Sequence, residues 1–423
     1  MPPKEMERQR IAIVGSGISG LACAHFLHPH HEITLFEKDD HIGGHSHTVM
    51  ASENDRKVPI DTGFMVYNEV TYPHLTRLFK ELAVETKNTT MSFSVQHRQD
   101  KLEFNGGSLN LLFGQRRNLL RPRFWKMLLQ INRFNNETVT ELKNPKNANL
   151  TLAEYVEKRG YGQDFLRWYL SPMAAAVWSS PPEKIEEFPA HTLMRFWHNH
   201  GFLGLDTQHQ WRTVCGGSRE YVTKISAPFS NRIHQGSGVQ NISAENRITL
   251  KDGATQDFDL VISAAHGDQA LQLLASPTPL EKEVLANFSY QKNEVVLHTD
   301  PRFMPKTRRC WASWNYQITG GKHSTIYWMN CLQGVSDREN YFVSINPSEP
   351  IDESKVVRRL DYEHPLFDLK AIGAQARIPE LHQAGQKSGR YFCGAWQRNG
   401  FHEDGLWSAI ELCKSLLGKD PWP

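Results

Sequence analysis

Across 423 residues there is no apolar run of the roughly eighteen residues that a membrane-spanning helix needs. There is no CxxC pair either. Six cysteines, at positions 23, 215, 310, 331, 393 and 413, stand far apart, which argues against a disulfide framework and fits reduced thiols in a cytosolic protein. No serine sits in a GxSxG turn, so the usual hydrolase nucleophile is missing. Neither sign of charge dominates: 48 bases against 46 acids leave a net +2, too little to make the whole molecule a nucleic-acid binder. Histidines bunch at 28, 30 and 31 and again at 41, 45 and 47. Neither set brings cysteine or carboxylate partners at ligand spacing, so no metal is expected. Internal repeats and low-complexity linkers are absent, the most exposed-looking loop being the polar stretch at 144–149.

What is present begins at residue 10. Arg10–Val14 (RIAIV) is continuous and β-branched, as a buried strand should be. It runs into Gly15-Ser16-Gly17-Ile18-Ser19-Gly20, a full GxGxxG. Gly15 suits a tight turn, Gly17 the approach of a pyrophosphate to bare backbone, and Gly20 the packing of helix on strand. An apolar helix follows from Ile18, and its N-terminal N–H groups and dipole would face phosphate. Glu32–Glu37 reads as a second strand ending on an acid, placed to take the ribose hydroxyls of an adenosine, with Lys38 beside it. Lys4, Arg8 and Arg10 before the run Ile11–Leu27 loosely imitate a secretory leader. The spaced glycines and the strand that follows mark the run as mature structure. A ligand-free glycine turn is the alternative, and strand, glycines, helix, strand and acid in one unit weigh against it.

His41-Ile42-Gly43-Gly44-His45-Ser46-His47-Thr48 comes next. It resembles the second glycine motif of the flavin amine oxidase and phytoene desaturase superfamily, where a Gly-Gly pair and a basic residue meet the FAD pyrophosphate. His45 stands where that family usually has Arg or Lys, and a neutral imidazole offers one hydrogen bond in place of a charged fork. Later segments are similar to the same family in the same order. Trp211–Tyr221 resembles its W-x-x-x-x-GG helix start, and Gly238–Ile242 the strand whose Val239 pairs with adenine. Asp257–Ala265, with Ala264 near its end, resembles the later nucleotide strand. Tyr391–Gly394 resembles the strand that meets the cofactor, and Gly400–Leu406 the start of a last helix aimed at the flavin through Gly405 and Leu406. The matches run from residue 10 to 417.

The resemblance implies an α/β protein in which a Rossmann-type FAD-binding domain (residues 1–63, 206–275 and 385–423) is interrupted by a mixed α+β substrate domain (64–205 and 276–384). Periodicity in the first insertion is mainly helical, at Tyr72–Leu82, Leu119–Phe134, Leu152–Arg159 and Asp164–Ala176. The second alternates as strands at Glu294–His298, Thr325–Asn330 and Tyr341–Ile345. Non-covalent FAD is implied, since no segment resembles a flavin-tethering motif. The family's N5-side lysine matches the strand Tyr290–Val295, where either Lys292 or Asn293 could face the flavin. Trp178, Trp211, Trp311, Trp314, Tyr316 and Trp396 are candidates for a pocket wall, with core packing the default for any one of them. Pro172–Ser180 suits a greasy channel or a packed helix.

A narrower resemblance, carried by His298–Pro301, Met304-Pro305, Trp311–Tyr316 and Tyr327–Gln333, is to a bacterial FAD-binding branch found beside cyclopropane fatty acid synthases. It implies hydride transfer from an apolar, fatty acyl or phospholipid-borne substrate to the flavin, with a synthase-like partner. The rivals are an oxygen-using amine oxidase, an FAD-dependent fatty acid isomerase, and a flavin-bound partner of a lipid-modifying enzyme with no reaction of its own. Residues 115–129 mix five bases with Leu, Phe, Trp and Met. That mixture suits peripheral contact with the inner face of an anionic membrane, although a solvated basic face over a buried apolar one is the commoner outcome.

Overall fold

Arg10–Val14 becomes the middle strand of a five-stranded parallel sheet because its neighbours on both sides are equally apolar. Glu32–Phe36 pairs on one side and Leu260–Ser263 on the other, with Ile233–His234 and Arg390–Phe392 at the edges. The computed structural model describes residues 7–143, 147, 149–204 and 208–422. Most of the loop expected at 144–149, and the boundary expected at 205/206, lie outside them. The helix Ile18–Leu27 is buried on nearly every side, clamped between this sheet and the last helix, His402–Leu417. Gly20 makes the clamp possible: a Cβ there would lie 1.9 Å from the Gly15 carbonyl oxygen. Arg390 and Glu281, both buried, form a two-pronged ion pair that ties the edge strand to the helix Pro279–Leu285.

The second large sheet has seven strands, in the order Val356–Leu366, Ser289–His298, Phe342–Ile345, Lys322–Trp328, Trp314–Thr319, Phe93–His97, Leu102–Asn105. The first insertion is mainly helical, as expected, but it also lends two short strands to this sheet. Phe93–His97 and Leu102–Asn105 form a hairpin that joins the sheet of the second insertion, Phe93–His97 running parallel to Trp314–Thr319. Each is only four or five residues long, too short for periodicity to declare it. The expected helices are present as Pro73–Glu81, Pro122–Lys143, Leu152–Lys158 and Ser171–Trp178, the last preceded by a π-helical turn at Leu166–Leu170. Trp211–Tyr221 divides differently from its reading as a helix start. Trp211–Val214 is a strand, Gly216 and Gly217 turn the chain at φ +81° and +88°, and the helix starts at Arg219. No helix among the described residues is long and apolar enough to cross a membrane.

Candidate active site

Between the two sheets lies a cavity of about 1340 Å³, larger than the 300–1,000 Å³ or so of an ordinary small-ligand pocket. One end is built from backbone. Gly15, at φ +102°, donates its N–H to the Phe36 carbonyl and closes the turn. The Glu37 carboxylate accepts from Ser16 N at 2.9 Å and Ser16 Oγ at 2.5 Å, and from Asp39 N at 3.0 Å. Glu37 therefore braces the glycine turn as well as facing the cavity. Gly44, at φ +57°, comes so close that a Cβ on it would sit 3.1 Å from the Gly17 Cα. At Gly17 the backbone is extended and a Cβ would meet nothing within 4 Å. The helix behind it has no side-chain cap, so a bare backbone surface and the positive end of a helix dipole look into open space.

Histidines and tyrosines gather where the cavity narrows. Gly63 can pack on the His45 carbonyl only because it lacks a side chain; a Cβ would stand 2.2 Å from that oxygen. This close approach brings Thr62–Val66 against the second glycine loop. His45 lies 4.9 Å from the ring of Tyr362 and 5.3 Å from that of His364. Tyr362 shares its hydroxyl with Thr62 (2.7 Å) and His47 (3.1 Å). His402 stacks on Phe64 at 3.9 Å and hydrogen-bonds Tyr221 (2.6 Å) and Ser46 (3.1 Å). Burial holds these imidazoles neutral: it pushes His402 down to about 3, and His47 and His364 to about 4. His45 is also held well below its ordinary value, by burial and by the neighbouring histidines. Its Nε2 is buried with no hydrogen-bond partner among the described residues. Burial acts oppositely on Asp404, raising it to about 7 while it caps the last helix by accepting from Phe401 N.

The other end is aromatic. Tyr72, Met91, Trp178, Phe196, His200, Phe202, Trp211, Trp314, Tyr327, Ile345 and Phe401 line it, with Phe196 stacked between His200 (3.9 Å) and Phe401 (4.9 Å). The segments that supply this wall contribute no carboxylate and no cation. Every charged lining residue comes from 37–40, 251, 292 and 358–363.

Of the residues singled out from sequence, Gly15, Gly17, Ile18, Ser19, Glu37, Lys38, Gly43, Gly44, His45, Val239, Ala264, Gly394 and Lys292 all line this one cavity. Gly20, Gly405 and Leu406 do not. Gly20 packs helix on turn, Leu406 lies in the core, and Gly405 accepts from Ser19 Oγ at 2.9 Å through its carbonyl, tying the first helix to the last. Asn293, offered as a catalytic candidate, lies behind the wall. Its Nδ2 lies 2.8 Å from His364 Nδ1 and donates to the Gln291 carbonyl, and its Oδ1 accepts from Asn346. Lys292 points the other way, opposite Glu363 on the adjoining strand and near Lys38, at the polar end. Trp178, Trp211, Trp314 and Trp396 reach the wall; Trp311 instead meets Trp328 edge to face, with Arg308 over both rings, and Tyr316 faces a smaller cavity. Only the last residues of Pro172–Ser180 line the cavity, the rest being a packed helix. Tyr362, His364, Phe196 and Phe202 were not foreseen. His402 was legible in principle, inside the Gly400–Leu406 segment.

A Rossmann-type cradle opening onto an aromatic chamber is the architecture of a flavin oxidoreductase. Residues 18–351 match the model of the flavin containing amine oxidoreductase family, and the chain belongs to that family. Solved structures share the fold across almost the whole chain. The CLA-producing fatty acid isomerase from P. acnes superposes with a TM-score of 0.68 at 14% identity, over 96% of this chain and 97% of that one. Cyclohexylamine oxidase from Brevibacterium oxydans gives 0.67 at 15%, over 97% and 100%. Reduced UDP-galactopyranose mutase gives 0.67 at 17%, over 98% and 94%.

Proposed function

We propose that the protein binds FAD without a covalent link and oxidises an apolar, fatty acyl substrate held in the aromatic chamber. The carrying observation is that chamber, uncharged along its whole aromatic wall and continuous with the backbone cradle. Gly15, Gly17, Gly43 and Gly44 would hold the pyrophosphate, Glu37 the ribose, Val239 and Ala264 the adenine side, and residues 62–66 and 400–402 the ring system. The open face of Gly17 and the partnerless His45 Nε2 fit such a dinucleotide. Bound flavin supplies a hydride acceptor at N5. The chain's own part is to exclude water, keep His45, His364 and His402 uncharged beside the ring, and press the substrate into place.

An acyl chain gains about 0.8 kcal/mol for each CH₂ it buries there. An ammonium group would lose its water for aromatic faces alone, worth about 0.5–2 kcal/mol, with no carboxylate on that wall. The same faces keep amine oxidation as the second reading, which the family membership favours. Net-neutral isomerisation of an unsaturated chain is a third, supported by the fatty acid isomerase among the structural neighbours. A lipid-modifying enzyme of the cyclopropane synthase kind, as source or consumer of the acyl chain, is part of the same proposal. Anaerobic mixing of the flavin-loaded protein with fatty acyl chains and with amines decides. Bleaching of the flavin by acyl chains and not by amines is expected; bleaching by amines alone overturns the reading. Product analysis separates oxidation from isomerisation.

A further inference from the structure

The exposed apolar side chains are not scattered evenly. Among the described residues, Leu109, Leu119, Leu120, Trp125 and Leu129 account for five of the nine large hydrophobic residues left exposed. All five fall within 21 consecutive residues. Leu120 is 88% exposed, Leu129 70% and Leu109 67%, values normally found for charged side chains. They adjoin one another. Trp125 donates its indole N–H to the Leu119 carbonyl and lies 5.1 Å from the Phe113 ring, and Leu129 stands one helical turn beyond Trp125. The surface is therefore a fixed ridge of Leu and Trp, held up by a short 3₁₀ turn (Arg116–Leu120) and the first turns of the helix Pro122–Lys143.

Charge separates this ridge from an ordinary surface. From Phe104 to Asn136 the chain has six bases and not one acid. Two of those bases are neutralised by acids from elsewhere: Arg123 grips Asp164 with two hydrogen bonds, and Arg133 pairs with Glu137. Arg121 spends its guanidinium on the Asp100 carbonyl. Arg116 and Arg117 bond only to neutral groups, the Asn110 side chain and the Asn110, Phe113 and Lys101 carbonyls, and Lys126 is exposed beside Trp125. Arg309 joins them, 3.3 Å from where a Cβ on Gly114 would be. Exposed Leu and Trp ringed by uncompensated bases fit a surface that offers both hydrocarbon and negative charge.

We infer that this ridge docks the protein on an anionic lipid bilayer, Leu119, Leu120, Trp125 and Leu129 entering the headgroup boundary while Arg116, Arg117 and Lys126 pair with lipid phosphates. A membrane fits better than a protein partner because exposed Leu and Trp side chains stand among uncompensated bases, with no acid from Phe104 to Asn136, which matches the hydrocarbon and negative charge of an anionic bilayer surface. A smaller cavity of about 200 Å³ shares Ser179 and Ile345 with the main one and reaches the turn at Gly321. The adjacent Gly320 lies beside Gln99, in the hairpin whose Asp100 and Lys101 carbonyls hold Arg121 and Arg117. Docking does not depend on what the chamber binds, so its test is independent of the proposed substrate.

The test is sedimentation of the flavin-loaded protein with vesicles of phosphatidylcholine alone or mixed with phosphatidylglycerol. Binding is expected only with the anionic lipid and should be released at high salt. The triple variant Arg116→Gln, Arg117→Gln, Lys126→Gln should bind at least about tenfold more weakly. So should Leu120→Ser with Leu129→Ser, both at positions where a polar side chain meets only water. Flavin content should be unchanged in each. Brominated lipid should quench part of the tryptophan fluorescence, and Trp125→Phe should abolish that part. Equal binding to neutral and anionic vesicles, or variants that bind as the parent does, would overturn the inference. So would a self-associated parent that the leucine variants convert to monomer, since the ridge would then be a face between copies.

Discussion

The two ends of the cavity are made differently. At the polar end the chemistry belongs to the main chain: glycines at 15, 17, 43 and 44, a helix terminus, and Glu37 as a brace. At the aromatic end it belongs to side chains alone, brought in from residues 72, 91, 178–202, 211, 314–345 and 401. Backbone recognition needs consecutive residues in one conformation, so it tolerates little change and fits a cofactor common to a family. A wall assembled from remote side chains can be altered one residue at a time, as suits a substrate that differs between family members.

The largest effect should come from two glycines of one motif that do opposite jobs. Gly20→Ala drives a methyl group to 1.9 Å from the Gly15 carbonyl and should prevent folding. Gly17→Val places its side chain in open space on extended backbone, so the apoprotein should fold normally and lose all flavin. Far-ultraviolet circular dichroism, set beside the yellow absorbance, checks both. A folded, yellow Gly17→Val protein would break the division at its strongest point.

Acid comes next, because the junction between the two ends is built from histidines held neutral. For His47, His200, His364 and His402 the folded values lie at about 3 to 4, below the unfolded value near 6.5. The unfolded chain therefore takes up protons first. The stability these groups carry is complete above pH 6.5 and is lost as pH falls toward their folded values. One unit below 6.5 the four together should cost on the order of 4 kcal/mol. Asp404 runs the other way: raised to about 7, it favours the fold below its unfolded value, and that contribution is lost as pH rises through 7. Melting temperature should be level above neutrality and fall steeply toward pH 5. Asp404→Asn removes a contribution that grows as pH falls from about 7 toward 4, so it should steepen the acid fall and leave the profile above pH 7 flat.

Glu37 tests whether the polar end separates bracing from binding. Glu37→Ala removes a charged acceptor and should weaken FAD binding by one to two orders of magnitude, from about 1.5–3 kcal/mol of lost hydrogen bonding. It also strips the Ser16 brace, so thermal stability should drop with it. Ser16→Ala loses the brace hydroxyl and keeps the carboxylate. Equal losses of affinity in the two variants, by fluorescence titration of FAD, would mean that Glu37 serves the turn and not the ribose.

How far the sequence could be read follows the same line. The turn, both glycine loops and the order of the returning segments were legible because each is local. The parallel sheet followed from short β-branched runs at Arg10–Val14 and Leu260–Ser263. The hairpin at 93–105 escaped because neither strand is long enough to show a period and its partner lies more than 200 residues away. The chamber escaped for a related reason. Phe196 at the cavity and Trp197 in the core are adjacent in one helix, and both are buried apolar residues to any local test. Asn293 and Lys292 were ambiguous because a single-residue register change exchanges the faces of a strand. The pairing of Lys292 with Glu363 and of Asn293 with Tyr362 is what assigns them.

That assignment carries the smallest expected effect. Lys292 is exposed, opposite Glu363 and close to Lys38, among the charged residues of the cavity lining. A lysine acting at the reacting carbon would need to stand at the aromatic end, within hydrogen-bond reach of substrate or its water. Lys292→Ala should therefore leave the rate of flavin reduction within about threefold and weaken FAD affinity by no more than that, the scale of one exposed ion pair. Asn293→Ala is the companion measurement. It frees His364 Nδ1 from its partner behind the wall, so KM should rise and the acid limb of the activity profile should shift while the Lys292 variant moves neither. A hundredfold slower reduction in Lys292→Ala would put the lysine at the reacting centre and show that the charged end of this cavity, not its aromatic end, is where the chemistry happens.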